Sequence, residues 1–312
     1  MNILVTGGTG YIGAHLVAVL GQAGHTVRAL DLVSAGDGSL VAASHDTVQG
    51  SITDPTAVAR AMQNVDIVYH LAWNFCPSDE RREIQDNLFG TLNLLQTALR
   101  VGVQHFLFSS TALVYGPTGP ARVTEEYPCH PERCTIGGPV HGVTKLACER
   151  LCLVYQRRGL AVTVFRLHGV FSARRLSHFE QMIDQALSGE PMQSIRGAGG
   201  EYIHLDDVLR ALFEAMGNPR TYGEVFNLAG THTYEDPEMA RFVLKMGRSA
   251  SRIELVEDPT KEMISVSTDK LHTVLGIEPG KGEFLTDLVG LEIQQRRGTG
   301  HEIEGIRHNS DL

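Results

Sequence analysis

The residues best suited to chemistry lie at the start of the chain, where a glycine cluster interrupts an apolar run. The run at residues 3–5 stops before Gly7, and apolar residues then recur at helical spacing, at Ile12, Leu16 and Leu20. A strand, a glycine turn and a helix N-terminus together bind anions, because free backbone N–H groups and the helix dipole face the ligand. The chemistry expected here is the binding of a diphosphate.

The glycine spacing and a carboxylate farther along the chain indicate which kind of diphosphate ligand binds. The four glycines between residues 7 and 13 fit both G-x-G-x-x-G and G-x-x-G-x-x-G. A predicted strand over residues 26–30 ends at Asp31, about where a carboxylate accepts hydrogen bonds from a ribose 2′-OH. In that context a glycine turn that only closes a strand–helix corner is the weaker interpretation. The pattern predicts a dinucleotide site that prefers NAD to NADP, because Asp31 repels a 2′-phosphate and no Arg directly follows it.

The composition argues against several classes of partner. Of the 312 residues 42% are hydrophobic, which is enough for one large or two modest cores. The net charge of -9 carries no long run of one sign, so a nucleic-acid surface with clustered Lys and Arg is not expected. No apolar stretch approaches the roughly 20 residues of a membrane span, and residues 1–20 lack the pattern of a signal peptide. We expect a soluble cytoplasmic protein.

The cysteines indicate a reducing compartment rather than a metal site. There are five cysteines and no C-x-x-C pair, which fits free thiols. Cys129, His130 and Cys134 share one predicted loop, but three candidate ligands fall short of a typical zinc site. Cys148 and Cys152 lie four residues apart on a predicted helix, where small buried thiols are the simpler interpretation. We therefore expect no metal.

Strand-like and helical segments alternate through the first half of the chain. Strands are predicted at 3–6, 27–30, 47–49, 67–71, 106–109 and 162–167, and helices near 12–22, 55–62, 84–100 and 141–158. Parallel strands need right-handed crossovers, so this alternation predicts an α/β fold with a doubly wound parallel sheet of the Rossmann type.

The alternation loosens after residue 167, which predicts a second, smaller domain. Helices are predicted near 177–188, 205–216, 235–246, 269–275 and 282–294, with strands at 225–228 and 253–256 and a short segment around 192–203. We assign residues 1–168 to the dinucleotide-binding domain and 169–295 mainly to a C-terminal α/β substrate domain, with segments at about 203–230 returning to the first. Residues 296–312 form a polar tail without apolar periodicity.

Motifs spread over residues 1 to about 290 occur in the order and at the spacing typical of one family. They are Thr6-Gly7-Gly8-Thr9-Gly10-Tyr11-Ile12-Gly13, His70-Leu71-Ala72, Asn87-Leu88-Phe89-Gly90-Thr91, Ser109-Ser110-Thr111-Ala112-Leu113-Val114-Tyr115-Gly116, Tyr202-Ile203-His204-Leu205-Asp206-Asp207-Val208, Phe226-Asn227-Leu228-Ala229, and Asp269-Lys270-Leu271 followed by Leu275-Gly276-Ile277-Glu278-Pro279. On these motifs the chain resembles the extended short-chain dehydrogenase/reductase family, the group of sugar-nucleotide epimerases and dehydratases.

The resemblance implies NAD as the cofactor and a sugar nucleotide or related sugar as the substrate. The NAD contacts it implies are Gly7, Gly10, Tyr11, Ile12, Gly13, Asp31, Ser51, Ile52, Leu71, Ala72, Asn87 and Lys145. Thr111, His141 and Lys145 match the family's catalytic positions, and Trp73, Thr111, His168, Arg174, Arg175 and Arg196 are expected around the substrate. Family members pair two helices across a twofold axis, which implies a homodimer through the helices at 84–100 and 141–158.

The chain departs from the family at the position of the active-site tyrosine. That tyrosine precedes the lysine by four residues, and here His141 stands four residues before Lys145. A neutral imidazole, with an ordinary pKa of about 6.5, accepts a proton without help and is suited to the role of base. The alternative is a residue packed beside the cofactor, with the chemistry lost or moved elsewhere. Both interpretations stay open.

Two phosphate anchors of the family are also absent. Gly169 stands where relatives carry an Asn that binds the substrate diphosphate, and Gly200 stands where they carry an Arg. Arg174, Arg175 and Arg196 are candidates to replace the lost charge, although ordinary solvated surface residues are the alternative interpretation.

Three functions follow from these patterns. The first is an enzyme that holds NAD, oxidises a sugar hydroxyl transiently and then completes an epimerisation or elimination. The second is a cofactor-binding sensor or scaffold without turnover, and the third is a simple NAD-dependent reductase. Lys145 and Thr111 favour an enzyme, whereas His141, Gly169 and Gly200 favour lost or redirected chemistry.

Overall fold

A computed structural model gives the fold for residues 1–33, 46–176, 178–280 and 283–298. Within these ranges no helix is long and apolar enough to cross a membrane. Most of the predicted polar tail, from residue 299 onward, lies outside the described residues, as do the first residues of the helices predicted at 177–188 and 282–294.

Strands and helices alternate along most of the chain. The strands are β1 (Asn2–Thr6), β2 (Thr26–Asp31), β3 (Asp46–Gln49), β4 (Ile67–His70), β5 (His105–Thr111), β6 (Val162–Leu167), β7 (Val170–Phe171), β8 (Met192–Ile195), β9 (Gly199–Glu201), β10 (Ile203–His204), β11 (Val225–Leu228), β12 (Thr233–Glu235) and β13 (Ile253–Val256). The helices are α1 (Tyr11–Gln22), α2 (Pro55–Ala61), α3 (Glu80–Ile84), α4 (Gly90–Val101), α5 (His141–Gln156), α6 (Phe179–Ser188), α7 (Leu205–Ala215), α8 (Asp236–Gly247), α9 (Asp269–Leu275) and α10 (Glu283–Gly298).

A seven-stranded parallel sheet forms the centre of the fold. Its strand order is β11-β6-β5-β4-β1-β2-β3, and every neighbouring pair runs parallel. This confirms the predicted doubly wound α/β fold. The chain order reverses between β1 and β4, and ligands of such sheets bind in the crevice beyond the carboxyl ends of the strands at that point.

Helices cover both faces of the sheet, because alternate strand residues point to opposite faces and both sets are apolar. On one face, Leu16 and Leu20 of α1 are fully buried, and α7 packs beside α1. On the other face, α2, α4 and α5 contribute apolar side chains such as Leu94 and Leu95 to a separate core. The carboxyl ends of the strands stay open between these two layers.

The second half of the chain builds a third core away from the sheet. Helices α6, α8 and α10 surround it with Ile183, Val243 and Val289, and β8 pairs parallel with β13 beside it. Helix α9 departs from this group, since Leu271 lies in the core beneath the main sheet and α9 contacts β11 and α7. The sequence indicated a return to the first sheet only for residues near 203–230, so α9 is an addition to that set.

The helix predicted at 84–100 begins earlier and carries an irregular turn. α3 starts after Asp79, whose side chain accepts from the Arg82 N–H, and a π-helical stretch over Gln85–Phe89 joins α3 to α4 without a break. A π-helical stretch inserts extra residues into the turn and changes the direction in which side chains point. It lies directly between Glu83 and Thr91, both of which are buried in the site described next.

Candidate active site

A cavity of about 940 Å³ lies at the carboxyl ends of β1 and β4. Its walls come from the segments that follow β1, β2, β3 and β4, together with Ser109 of β5, Val170 of β7 and Arg175. Eleven of the twelve residues predicted to bind the cofactor line it, and the exception is Lys145, which lies behind its wall. The eleven are Gly7, Gly10, Tyr11, Ile12, Gly13, Asp31, Ser51, Ile52, Leu71, Ala72 and Asn87.

The glycine turn after β1 approaches the N-terminus of α1 too closely to carry side chains. A Cβ on Gly13 would lie 2.0 Å from the Gly7 carbonyl oxygen, and Gly7 itself has a φ of +70°. Among the described residues, no side chain caps α1, whose N-cap residue is Gly10. The first N–H groups of a helix have no partner within the helix, so this turn fits the diphosphate of a dinucleotide.

Asp31 ends β2 and is fixed against the glycine turn. Its Oδ2 accepts from the Thr9 N–H at 3.0 Å, and its Oδ1 accepts from the Leu32 N–H at 2.8 Å. Each carboxylate oxygen has two lone pairs, so both can accept further hydrogen bonds. The carboxylate is therefore held at the cavity wall in a position to bind ribose hydroxyl groups.

A buried chain of hydrogen bonds fixes the end of β4. His70 Nδ1 lies 2.8 Å from Thr6 Oγ1, and His70 Nε2 lies 2.9 Å from Thr91 Oγ1, which donates to the Asn87 carbonyl at 2.7 Å. Burial and the charge of Lys145 lower the pKa of His70 to about 3, so the ring is neutral. Because Thr91 gives its proton to Asn87, His70 donates from Nε2 and accepts from Thr6 at Nδ1.

Asn87 fixes the backbone of the loop that follows β4. Its Oδ1 accepts from the Asn74 N–H at 2.8 Å, and its Nδ2 donates to the Asn74 carbonyl at 2.8 Å. This two-way pairing fixes the backbone between Trp73 and Phe75, whose side chains line the cavity. Asn87 therefore shapes the cavity by positioning this loop.

Lys145 lies on α5, behind residues that line the cavity. Its Nζ donates to the Ser109 carbonyl at 2.7 Å and lies 3.7 Å from the centre of the Trp73 ring. Burial lowers the pKa of Lys145 to about 7, although Cys148 and Glu149 of the same helix act in the opposite direction. A lysine with this pKa changes its charge near neutral pH.

His141 is the first residue of α5 and lies one helical turn before Lys145. Its ring stacks on Phe75 with the ring centres 4.8 Å apart. It lies perpendicular to the Trp73 ring, with those two ring centres 5.6 Å apart. Burial, followed by the charge of Lys145, lowers the pKa of His141 to about 3. Its Nδ1 lies 3.9 Å from Oε1 of the buried Glu83. The structure therefore brings His141 and Lys145 together behind the Trp73–Phe75 wall.

Thr111 ends β5 and is also buried. Its Oγ1 accepts from the Leu113 N–H at 3.3 Å, which starts a short helical turn over Ala112–Tyr115. The hydroxyl proton is free to donate elsewhere, since this contact uses only a lone pair. Thr111 is not part of the wall of the cavity.

Comparison with known proteins identifies the family to which this arrangement belongs. The NAD dependent epimerase/dehydratase family matches residues 3–229 of the chain. The chain belongs to that family. It is an NAD-dependent enzyme of the epimerase/dehydratase type, and the predicted family resemblance is confirmed.

Solved structures and relatives agree with this assignment. The UDP-glucose 4-epimerase of Thermotoga maritima, solved with UDP-glucose, is 26% identical and has a TM-score of 0.81 over 96% of this chain and 99% of its own. A short-chain dehydrogenase/reductase superfamily protein of Agrobacterium tumefaciens, solved with bound NAD, is 25% identical with a TM-score of 0.79 over 96% and 99%. The UDP-glucuronic acid decarboxylase 1 of Danio rerio is 27% identical over 89% of this chain and 69% of its own.

Two rings of this family member fill the space next to the two glycines that replace the expected phosphate anchors. A Cβ on Gly169 would lie 2.2 Å from the Tyr202 ring, and one on Gly200 would lie 2.0 Å from the His168 ring. The two rings stack on each other with their centres 5.9 Å apart. His168, expected near the substrate, is therefore buried against Tyr202 and Gly200 and is not among the residues that line the main cavity.

The three arginines proposed to replace the lost charge lie in different places. Arg175 lines the main cavity, with its guanidinium carbon 4.9 Å from the centre of the Tyr11 ring. Arg174 precedes it in the same exposed turn. Arg196 pairs with Glu257 at 2.6 Å on the surface, where both side chains are more than half exposed.

A buried ion pair holds α5 against the sheet. Arg166 of β6 donates from Nη2 to Glu149 Oε2 at 2.8 Å and from Nε to Glu149 Oε1 at 3.0 Å. Its Nη1 donates to the Tyr115 hydroxyl at 2.8 Å, which in turn donates to Asn227 Oδ1 at 2.7 Å. The network joins β6, α5, the turn after β5 and β11, and so fixes the helix that carries His141 and Lys145.

The structure adds Glu83 and Phe75 to the residues identified from the sequence. Neither belongs to a motif of the family resemblance, and Glu83 precedes the predicted start of its helix at residue 84. Among the described residues, no cluster of three or more His, Cys, Asp or Glu side chains is arranged to hold a metal ion.

Proposed function

We propose that this enzyme transiently oxidises a hydroxyl group of a sugar or sugar nucleotide and then completes an epimerisation or elimination. The observation that carries the proposal is the position of Lys145, whose Nζ donates to the carbonyl of the cavity-lining Ser109. This places α5 next to the Leu71–Ala72 side of a cavity whose other side carries Asp31. The proposed cofactor site and two titratable side chains are thus adjacent.

The proposed roles of the residues follow from their chemistry. Bound NAD supplies a hydride acceptor. The glycine turn would hold its diphosphate, Asp31 its adenosine ribose and Lys145 its nicotinamide ribose. Thr111 would bind the reacting hydroxyl oxygen, and His141 would accept the hydroxyl proton.

His141 is a ready but weak proton acceptor in this environment. With a pKa of about 3 it is neutral at pH 7, so a lone pair is available. Holding a proton at pH 7 would cost roughly 5–6 kcal/mol, since each pKa unit below the solution pH costs about 1.4 kcal/mol. A base in this position therefore needs a partner that stabilises its protonated form.

The proposed substrate class is a nucleoside diphosphate sugar. Two of the proteins named above, the epimerase of Thermotoga maritima and the decarboxylase of Danio rerio, act on or bind UDP-sugars by their names, and Arg175 offers a cation at the cavity wall. Arg175→Ala should weaken substrate binding about tenfold or more, because hydrogen bonds to charged groups contribute roughly 1.5–3 kcal/mol. Arg196→Ala is the matched control, since Arg196 is already paired with Glu257. Equal affinities of UDP-glucose for both variants would remove Arg175 from the proposal.

The test of turnover uses His141→Phe, with His130→Phe as a control at an exposed loop position. Purified protein with NAD is incubated with UDP- and dTDP-sugars, and products are followed by NMR. His141→Phe should lower kcat by about 10²–10⁴ while the Kd for NAD stays unchanged, because only proton transfer is lost. Wild-type activity in His141→Phe would refute the role of His141.

A second candidate, a cofactor-binding protein without turnover, is favoured by one observation. The His141 ring is stacked on Phe75 and its pKa is low, as expected for a packed residue that no longer titrates. In that case NAD binds with equal affinity to wild type and His141→Phe, and neither converts any sugar nucleotide tried. Product formation by the wild type alone supports the enzyme.

We also propose a homodimer through α3, α4 and α5. Apolar side chains on these helices and on the connecting π-helical stretch stay exposed in the single chain, including Phe89 at 57%, Val143 at 44% and Val154 at 40%. Two copies that pair these helices across a twofold axis would cover them in a four-helix bundle. Light scattering should give twice the chain mass of 34.1 kDa.

We propose a cytoplasmic location. All five cysteines have free thiols, and Cys134, Cys148 and Cys152 are buried. Such thiols persist in a reducing compartment. Fractionation of cells that express the tagged chain should recover it with cytoplasmic markers.

A further inference from the structure

Two buried polar atoms, one at the start of α5 and one on α3, face each other, and neither has a hydrogen-bond partner among the described residues. They are His141 Nδ1 and Glu83 Oε1, which lie 3.9 Å apart. The side chains are 5% and 0% exposed, so both atoms are shielded from bulk solvent. Buried groups of this kind are rare in folded proteins, because each loses its hydrogen bonds to water without replacement.

Both side chains are confined, so they stay close together. The second carboxylate oxygen of Glu83, Oε2, accepts from the Cys76 N–H at 3.2 Å, which fixes the carboxylate toward α5. The imidazole is held by the Phe75 stack and by Gly137, where a Cβ would lie 3.1 Å from the ring. A shortening of about 1 Å brings the two atoms into hydrogen-bond distance.

Burial and the charges around the pair explain why His141 is neutral at rest. Burial lowers the pKa of His141 most, and the charge of Lys145 on α5 lowers it further. Burial raises the pKa of Glu83, and the neighbouring Glu80 acts in the same direction. Other titratable groups nearby include the Arg82–Asp86 pair on the helical segment of Glu83, Cys76 in the preceding loop, and the exposed Glu132 and Arg133 on the short turn that packs against α5.

We propose that Glu83 is a positioning residue that fixes His141 as its Nδ1–H tautomer and pairs with the imidazolium after proton transfer. This inference rests on the proposed function, in which His141 accepts the proton. The O–H bond of the substrate hydroxyl breaks, an N–H bond forms at His141 Nε2, and the hydroxyl electron pair stays on oxygen. Glu83 stays ionised throughout and accepts the Nδ1–H.

The physical reason is the weakness of His141 as a base in an apolar site beside a lysine. A carboxylate at hydrogen-bond distance favours the imidazolium and fixes the ring orientation. It also selects the tautomer, since a carboxylate accepts hydrogen bonds and cannot donate one. Nε2 is then the nitrogen left with a free lone pair.

Glu83→Gln tests the inference sharply, because the side chains of glutamate and glutamine have the same shape. The amide oxygen of the introduced glutamine still accepts from the Cys76 N–H, while its NH₂ donates to His141 Nδ1. This selects the Nε2–H tautomer, which has no lone pair for the substrate proton. We expect kcat to fall about 10²–10⁴-fold, with the KM for substrate and the Kd for NAD unchanged.

A second measurement does not depend on turnover. The ¹⁵N chemical shifts of the His141 ring, recorded without NAD, should show protonated Nδ1 in the wild type and protonated Nε2 in Glu83→Gln. Glu83→Asp, which keeps the charge on a shorter side chain, should retain the wild-type tautomer and part of the activity. Glu80→Gln removes a carboxylate from the exposed face of the same helix and should leave tautomer and kcat as in the wild type.

The outcomes separate this inference from the proposed function. If His141→Phe is inactive while Glu83→Gln keeps full activity and the wild-type ¹⁵N shifts, the role of Glu83 is refuted and that of His141 stands. If His141→Phe is fully active, the proposed role of His141 as the base fails, and the ¹⁵N shifts alone decide whether Glu83 sets the tautomer.

Discussion

Replacing Asp31 by asparagine should weaken NAD binding about tenfold and leave the glycine turn intact. The amide oxygen of the introduced asparagine still accepts from one of the two N–H groups that Asp31 holds, those of Thr9 and Leu32. The substitution removes the negative charge from the side chain that is proposed to accept hydrogen bonds from the ribose hydroxyls. Hydrogen bonds to a charged group contribute roughly 1.5–3 kcal/mol and neutral ones about 1, and each 1.4 kcal/mol is a factor of ten in Kd.

The preference for NAD over NADP should reverse when a cation is added. Leu32 is 61% exposed at the cavity wall, so a guanidinium there can reach a 2′-phosphate. Asp31→Ser combined with Leu32→Arg should bind NADP more tightly than NAD in calorimetric titrations of apo protein. Asp54→Asn, at the exposed N-cap of α2, is the control and should change neither affinity. Unchanged NAD affinity in Asp31→Asn, or a wild type that prefers NADP, would refute the reasoning.

Three further perturbations address stability and assembly. Arg166→Met leaves Glu149 buried without its partner and should lower the free energy of unfolding by about 3–5 kcal/mol in urea titrations. Adding Glu149→Leu should recover most of that loss, and a double variant as unstable as the single one would contradict the argument. The pKa of Lys145 lies at about 7 in the fold and at 10.5 ordinarily, so the unfolded chain binds the extra proton between these values. This group's contribution to stability therefore rises with pH from about 7 to 10.5, and Lys145→Met should lose that part of the pH dependence. Phe89→Glu, at a 57% exposed position of the proposed interface, should shift the dimer to monomer in light scattering, and an unchanged mass would argue against that interface.

The order of the elements was predictable because the sequence alternates two periodicities. The apolar run before Gly7, the helical spacing of Leu16 and Leu20, and the carboxylate after β2 each report a local conformation. Parallel strands and right-handed crossovers then leave few topologies. The π-helical stretch at Gln85–Phe89 had no such signal, since its apolar spacing also fits an ordinary helix. For the same reason the earlier start of α3 was missed.

The site was predictable where it follows a motif and not where it depends on packing. Asp31 and Ser51 follow strands whose carboxyl ends meet in one cavity, so their placement comes with the fold. Glu83 and Phe75 approach His141 from a segment roughly sixty residues earlier in the chain. Asn87 holds the loop after β4 at Asn74, next to Phe75, and Glu83 bonds to the same loop at Cys76; no local sequence pattern encodes these contacts.

Gly169 packs against the Tyr202 ring and Gly200 against the His168 ring, so substitutions at these positions depend on one another. A side chain at residue 169 requires a smaller residue at 202 first, and one at residue 200 requires the ring at 168 to shrink or move and the Ile264 carbonyl, 2.8 Å from the added Cβ, to shift. Each half of such an exchange made alone either clashes or leaves a cavity, and core changes of both kinds destabilise a protein. Efforts to convert this chain to the anchors of its relatives should therefore introduce the substitutions in pairs, since single-site libraries would discard every correct change.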